Sequence, residues 1–600
     1  MNWARRLAYF LSLAATIILA SIAPRAALAQ LNLGVGGSLV VNITAPSSGA
    51  NVTGTIAVRG SYTTIGALTV RDVQFKLDGA NLGAPHQHVP SVGLGTVSFE
   101  EAWDTLTASN GTHTLTAVAR DALGAQWTSN PVTVTVFNSP VAIENQQPGS
   151  GNWAMGVGGL PADDVGKQIK GYASATSVNK GDSITFYVSV AGAQPYTIDF
   201  YRMGYYQGLG GRLMQSVGPL AGSPQPVCLP DINTGLAECN WAASYALAVP
   251  TSWTSGVFLA KLTSSAGFQN WIIFVVRDDA RQANLVYQQP VNTYQGYNNY
   301  PNDNATGKSL YDFNSFGLPT VSGTTRAVKV SWNRPYADRG AGQFFNWEYY
   351  FIRWIERSGY DVKYCTNIDV HEHSDRLLAA KGVLSIATDQ NYSKEMYDGL
   401  EASRDAGVNL AFFGAGAVFW QVRFEASPLT GAADRVLVGY KDQTKDPVQG
   451  PTTTIRWRDL NRPPQTLIGV QFHGQIDFSS PNVPFVVQNS SNWIYTGTGV
   501  LDGDQIPGMV GFEMDGTWSI FPTPNAIGTT YVMLSASPYT DVSGEQKTAS
   551  TSIYQAPSGA WVFGAGTTSW AWGLDLDGTA DPRIQRITSN VLDKFIGKIP

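Results

Sequence analysis

Residues 382–416 read GVLSIATDQNYSKEMYDGLEASRDAGVNLAFFGAG. The runs GVLSIAT and VNLAFFGAG are short and apolar, as buried strands are. Between them SKEMYDGLEASRDAG has Ser393 placed to cap a helix and Gly407 just past its end. A serine hydroxyl satisfies an orphan N–H of the first turn, and glycine tolerates the left-handed backbone that closes the last. Strand, helix and strand at these short distances imply a right-handed crossover, and hence a parallel sheet with helices on its faces. Upstream, YDVKYC is another strand candidate, and NWEYYFIRWIERSG sets Trp347, Tyr350, Phe351, Trp354 and Ile355 at helical spacing. Downstream of Glu425 come turn-rich β segments (QTLIGVQFHG, VPFVVQ, GMVGFEMDG, GAWVFGAGTTSWAWGLD) and a final helix, PRIQRITSNVLDKFIG. An α/β region with added β segments is therefore expected over 279–600.

The chain before it reads as β. Over 38–138, apolar and polar residues alternate in SLVVNITAP, TGTIAVRG, VRDVQFKLDG, GTHTLTAVARDALG and NPVTVTVFN, the pattern of an all-β sandwich. Asp78-Gly79 and Ala122-Leu123-Gly124 supply turns. This region resembles a bacterial immunoglobulin-like module, a kind of domain that spaces or displays a partner. SPVAIENQQPGSGNW reads as a linker into a second sandwich region, 151–278, with strands at DSITFYVSV, YTIDFYRMG, SGVFLAKLTS and NWIIFVVRDD. The fold class expected is multidomain: two β-sandwich regions, then the α/β domain.

Six hundred residues, 43% of them hydrophobic, suffice for several cores. With 14% charged residues, a net charge of −6 and no long Lys/Arg run, the chain lacks the footprint of a nucleic-acid binder. MNWARR, the apolar stretch Leu7 to Ala23, and Ala27-Leu28-Ala29 before Gln30 have the layout of a cleaved signal peptide over 1–29. Arg5-Arg6 matches a twin-arginine signal only in that pair, so the ordinary export route is expected. No other stretch spans a bilayer, so a secreted or periplasmic protein without stable membrane insertion is expected. Export permits a disulfide, expected between Cys228 and Cys239 across a turn-rich loop, whereas Cys365 reads as a buried, inert thiol.

Several words occur in a telling order: PYTIDFYRMGYYQGLGGRLM, TYQGYN, KSLYDFNS, NRPY, GFEMDG and the terminal helix. From roughly Gly151 to the C-terminus the chain resembles the large (beta) subunit of N,N-dimethylformamidase. The resemblance implies a glutamine-amidotransferase-like α/β fold and hydrolysis of a small amide. It also implies a ferric ion (Fe3+) held by two tyrosinates and a glutamate, and a small partner subunit. The tyrosines fall on Tyr297 and Tyr311. The glutamate falls on Gln390 and a neighbouring histidine on Thr388, in TDQNYS, while a family asparagine falls on Gly416. Gln390 offers a neutral carbonyl oxygen without charge, and Thr388 is no base near pH 7. Glu513 matches a family carboxylate and is the candidate general acid or base, with Asp515 and Asp389 behind it. A tertiary amide resists hydrolysis through resonance, which a Lewis acid relieves by polarising the carbonyl.

Other clusters read as decoys. His371-Glu372-His373 is expected in a solvated loop at the start of a helix, and His86 and His88 in a sandwich loop are too few for zinc. Neither a Gly-x-Ser-x-Gly elbow nor a phosphate loop occurs. Three readings stay open. One is a secreted amidohydrolase with an altered metal site. Another is an inactive binding or surface protein on the same scaffold, displayed by its immunoglobulin-like module. The third is a hydrolase or lyase of another substrate such as a saccharide, stacked on Trp332, Trp347, Trp420, Trp570 or Trp572.

Overall fold

The computed structural model describes residues 37–66, 68–87, 96–303, 305–312 and 326–598. The signal-peptide expectation, and with it His88, lies outside them. The chain divides into two compact units, Met1–Asn138 and Ser139–Pro600.

In the first unit the strands Gly37–Ala45, Thr55–Gly66 and Thr96–Asp104 form one antiparallel sheet. Val70–Leu77, Ala80–Gln87, Gly111–Asp121, Val132–Val136 and two short strands form the other. Along Gly111–Asp121, His113, Leu115, Ala117 and Ala119 are buried at alternate positions, as a strand with one face in the core requires. Val58, Phe75, Trp103 and Val134 fill the space between the sheets. Asp78 and Gly79, at φ of 48° and 85°, make the expected tight hairpin turn. His86 lies 3.0 Å from the Glu101 carboxylate and edge-on to Phe75, a packing role.

The second unit opens with a correction to the expected linker: Pro140–Glu144 is a short helix. Ser139 caps it by accepting from the Ala142 N–H, and proline suits a first helical position because its missing N–H is not needed there. Two sheets follow, built around Gln194–Met203, Gly256–Ser264 and Phe268–Arg277 on one side and Ser183–Val190 on the other. Phe186, Phe200, Phe258 and Phe274 pack between them. Cys228 and Cys239 are disulfide-bonded.

The central sheet has seven strands in the order Val362–Thr366, Leu285–Gln289, Gly382–Ala387, Asn409–Gly414, Trp561–Gly564, Ser552–Gln555 and Val532–Met533. The first five run parallel, Ser552–Gln555 is antiparallel to Trp561–Gly564, and Val532–Met533 is antiparallel to Ser552–Gln555. Alternate residues face opposite layers. Leu384, Ile386 and Phe413 pack with the helices Glu348–Arg357 and Pro582–Ile596, while Val383, Leu410 and Phe412 pack with Lys394–Asp405. Covering on both faces explains why these strands read as continuous apolar runs. The first core also takes in Tyr201, Met203, Val257 and Leu259, so regions 151–278 and 279–600 share one hydrophobic cluster. The His-Glu-His segment departs from the expected loop: Asn367–Glu372 is a helix with a capping box of Thr366 and Asp369, and it includes His371 and Glu372. Among the described residues no helix is long and apolar enough to cross a membrane.

Candidate functional site

Parallel strands end in loops at their carboxyl edge, where α/β folds gather functional groups. The strand Leu285–Gln289 leads into the helix Val291–Tyr297, whose last residue is Tyr297. Gln390 follows the strand Gly382–Ala387, and Gly416 follows Asn409–Gly414. Glu513 starts a separate strand, Glu513–Gly516. Ala387 at φ 60° and the β-branched Val418 at φ 57° hold strained backbone beside these loops, as functional sites often do. The strain is fixed by hydrogen bonds: Val418 N–H donates to the Asp389 carbonyl, and Phe419 and Trp420 N–H donate to that of Gln390.

Four side chains meet. The Tyr311 and Tyr297 hydroxyls donate to Gln390 Oε1 at 2.7 and 3.2 Å. Gln390 Nε2 donates in turn to both carboxylate oxygens of Glu513, at 2.9 and 2.8 Å. The two phenol rings stack at 3.8 Å with 6° between planes, and Lys441 Nζ sits 3.0 Å from the Tyr311 ring centroid. Thr293 Oγ1 accepts the Gln390 N–H at 2.9 Å and fixes the loop. Gly416 fits for two reasons: its φ is +65°, and a Cβ there would lie 2.8 Å from Glu513 Oε2. Its N–H donates to Asp515 Oδ1 at 2.8 Å.

Burial governs the electrostatics. It pushes Glu513 up to about 8, opposed by the Gln390 amide, and Asp515 up to about 7, opposed by the Gly416 N–H. It raises both phenols well above the ordinary tyrosine range, with the Glu513 carboxylate adding to the effect. Burial, and then the Arg326 guanidinium, lower Lys441 far below a normal lysine.

The structure thus brings Tyr297, Tyr311, Gln390 and Glu513 together, whereas Thr388 and Asp389 have other partners. The Thr388 hydroxyl donates to Gln343 at 3.4 Å. Asp389 accepts from Gln288, Tyr392, Ser385 and Asn367, and burial raises it to about 6. Its carboxylate is tied within the loop base rather than to the four-residue cluster. Lys441 and Thr293 carried no sequence signal, since each gains its role only by proximity in the fold. His371 lies against Phe424 with Nδ1 2.8 Å from Ser393 Oγ and 3.3 Å from the Glu395 carboxylate, and among the described residues no three His, Cys, Asp or Glu side chains are arranged to hold a metal ion. Burial also pushes the Cys365 thiol up, away from reactivity. Of the five tryptophans, Trp332, Trp347 and Trp570 are buried, Trp572 stacks on Trp347, and Trp420 is half-buried 4.9 Å from Lys441 Nζ.

A family model described as N,N-dimethylformamidase beta subunit-like, C-terminal, matches residues 197–584, and one described as bacterial Ig domain matches residues 40–117. No curated protein matches. Among solved structures, fibronectin(III)-like modules of CbhA from Clostridium thermocellum are 22% identical, covering 16% of this chain and 94% of theirs, with a TM-score of 0.13. The endo-beta-1,4-mannanase from Thermotoga petrophila is 16% identical over 17% of this chain and 20% of its own, also at 0.13. The Yersinia pseudotuberculosis adhesin InvE is 12% identical over 40% of this chain and 59% of its own, at the same score. Scores this low assign no fold to the chain.

Proposed function

The chain belongs to the N,N-dimethylformamidase beta subunit-like family, and from that premise we propose that it hydrolyses C–N bonds of small amides at Tyr297, Tyr311, Gln390 and Glu513. One observation carries this reading. The cluster already surrounds a carboxamide, that of Gln390, with the oxygen toward two hydroxyls at 2.7 and 3.2 Å and the nitrogen toward a carboxyl group at 2.8 Å. Amide hydrolysis asks for the same polarity: an electrophilic group at the carbonyl oxygen and a proton source at the leaving nitrogen. The amidotransferase-like description of the α/β region is part of the same proposal, supported by five parallel strands covered on both faces.

The family implies a ferric ion. The donors here are oxygens throughout, the type that hard cations take, and no cationic side chain is among the groups acting on buried Glu513. Such a donor set fits the ion. Tyr297, Tyr311 and Gln390 would hold it, and it would supply Lewis acidity at the substrate carbonyl. Gln390 contributes no charge, so it would hold the ion less tightly than a glutamate would. Glu513, protonated near neutrality, can hand its proton to the departing amine and as a carboxylate take one from water. Asp515 holds the Gly416 loop against it.

The test is turnover of small formamides and acetamides by the iron-supplemented protein. Tyr311→Phe should lower kcat/KM at least about 100-fold, the scale of one lost electrostatic contact in a transition state, with little change in Tm. A second reading rests on the closure of the same network. With both phenols and Glu513 satisfied by Gln390, the scaffold would serve as a binding or surface protein displayed by its immunoglobulin-like module. Absence of turnover and of bound iron in the wild-type protein would favour it. Export to the periplasm or beyond, with a small partner subunit or without one, belongs to either reading.

A further inference from the structure

A second site, a mostly apolar cavity with two buried arginines in its wall, lies beyond the short strand Lys329–Ser331. Arg334 and Arg435 line one cavity together with Thr176, Gln289, Trp332 and Tyr336. The cavity volume is about 30 Å³, which suits a guest of only a few atoms. Both arginines are buried, at 2% and 5% exposure. Arg334 donates to the carbonyls of Asn298, Tyr300 and Lys308 at 2.8, 3.0 and 3.3 Å and leaves its buried Nε–H without a partner. Arg435 donates to Asn333 Oδ1 and to the Ala173 and Trp332 carbonyls, each at 2.9 Å.

All these acceptors are neutral. Among the described residues neither guanidinium forms an ion pair: Glu238, which acts on Arg435, bonds to Ser331 and Asn333 instead. Tyr336 senses both arginines, but burial raises its phenol and keeps it uncharged. Burial pulls each guanidinium down to about 10, the direction expected of a cation short of counter-charge. Two buried like charges beside one cavity are costly unless something neutralises them. Water can satisfy an N–H but cannot supply charge.

We propose that this cavity binds a small monovalent anion, a halide or a one- or two-carbon carboxylate, at Arg334 and Arg435. The site would brace the catalytic cluster as well. Arg334 ties Asn298 and Tyr300, just after Tyr297, to Lys308, just before Tyr311. The proposal does not depend on the amidase reading.

Thermal unfolding of the full chain in sodium chloride, bromide or formate is compared with sodium gluconate at equal ionic strength, which removes general screening. Wild type should gain roughly 1–3 °C in Tm, saturating with the small anion, and Arg435→Met should not. Chloride against formate separates a halide site from a carboxylate site. Crystals soaked in bromide or in formate should show the ion at the two arginines, by anomalous signal or by density, a result that stands even where Arg435→Met fails to fold. A cavity empty of both ions, or Tm curves that coincide for all four salts, would overturn the proposal.

Discussion

Gln390 decides what the cluster can hold. Its carboxamide joins two phenols to one carboxyl group without adding charge, so a trivalent cation must draw its neutralisation from the phenols and Glu513. Gln390→Glu restores an anionic oxygen among hard donors and should raise iron affinity at least about 10-fold, the scale on which metal-site contacts act. Metal content and a phenolate-to-iron absorption band measure it; an unchanged, colourless variant would rule out a cation at these tyrosines. Glu513 gives a pH signature in the metal-free protein. Its folded value of about 8 lies above the ~4.3 of an unfolded glutamate, so the folded state keeps a proton that the unfolded state releases. The stability this group contributes is full below the lower value and lost as pH rises through the upper. Tm should therefore fall between about pH 5 and 8.5, and Glu513→Gln should flatten that fall.

At the scale of elements, the helix Lys394–Asp405 follows from local sequence. Ser393, at φ −76° and ψ 167°, accepts from the Met396 N–H at 3.2 Å, and Gly407 at φ +95° lies just beyond the helix. Ser393→Ala should cost about 1 kcal/mol in urea unfolding; a cost near zero would mean that packing alone sets this end. The helix Val291–Tyr297, which delivers Tyr297, is the opposite case. It has seven residues, no side-chain cap, and six of the seven buried, so neither periodicity nor capping announces it. Its place comes from the core around it.

At the scale of the Ser139–Pro600 unit, a fully buried ion pair ties the sandwich region to the α/β region. Arg202 on Gln194–Met203 donates to both Glu356 oxygens at 2.7 and 2.9 Å, with Tyr364 donating to the same carboxylate at 2.6 Å. Removing one partner strands a buried charge, so Glu356→Ala should cost about 3–5 kcal/mol in denaturant unfolding, and the double replacement Arg202→Met with Glu356→Leu should recover most of it. Two separate unfolding transitions within the Ser139–Pro600 unit, beyond the one belonging to the Met1–Asn138 unit, would contradict the shared core.

Alternation, helical period, capping and motif order are local properties of a chain, so most strands, the long helices, the disulfide partners and the family were legible in it, whereas the strands Thr96–Asp104 and Leu285–Gln289 were not. The sequence also named Tyr297, Tyr311, Gln390 and Glu513, through words spread from residue 293 to 516. That these four touch, while Thr388 and Asp389 turn to Gln343 and the loop base, is a property of the fold, since facing directions at a strand end depend on the backbone turn at Ala387. The fold also sets Lys441 on Tyr311 and buries Arg334 and Arg435 at one cavity, one hundred and one positions apart in the chain. Contacts at that separation arise from sheet order and packing, which no local pattern encodes.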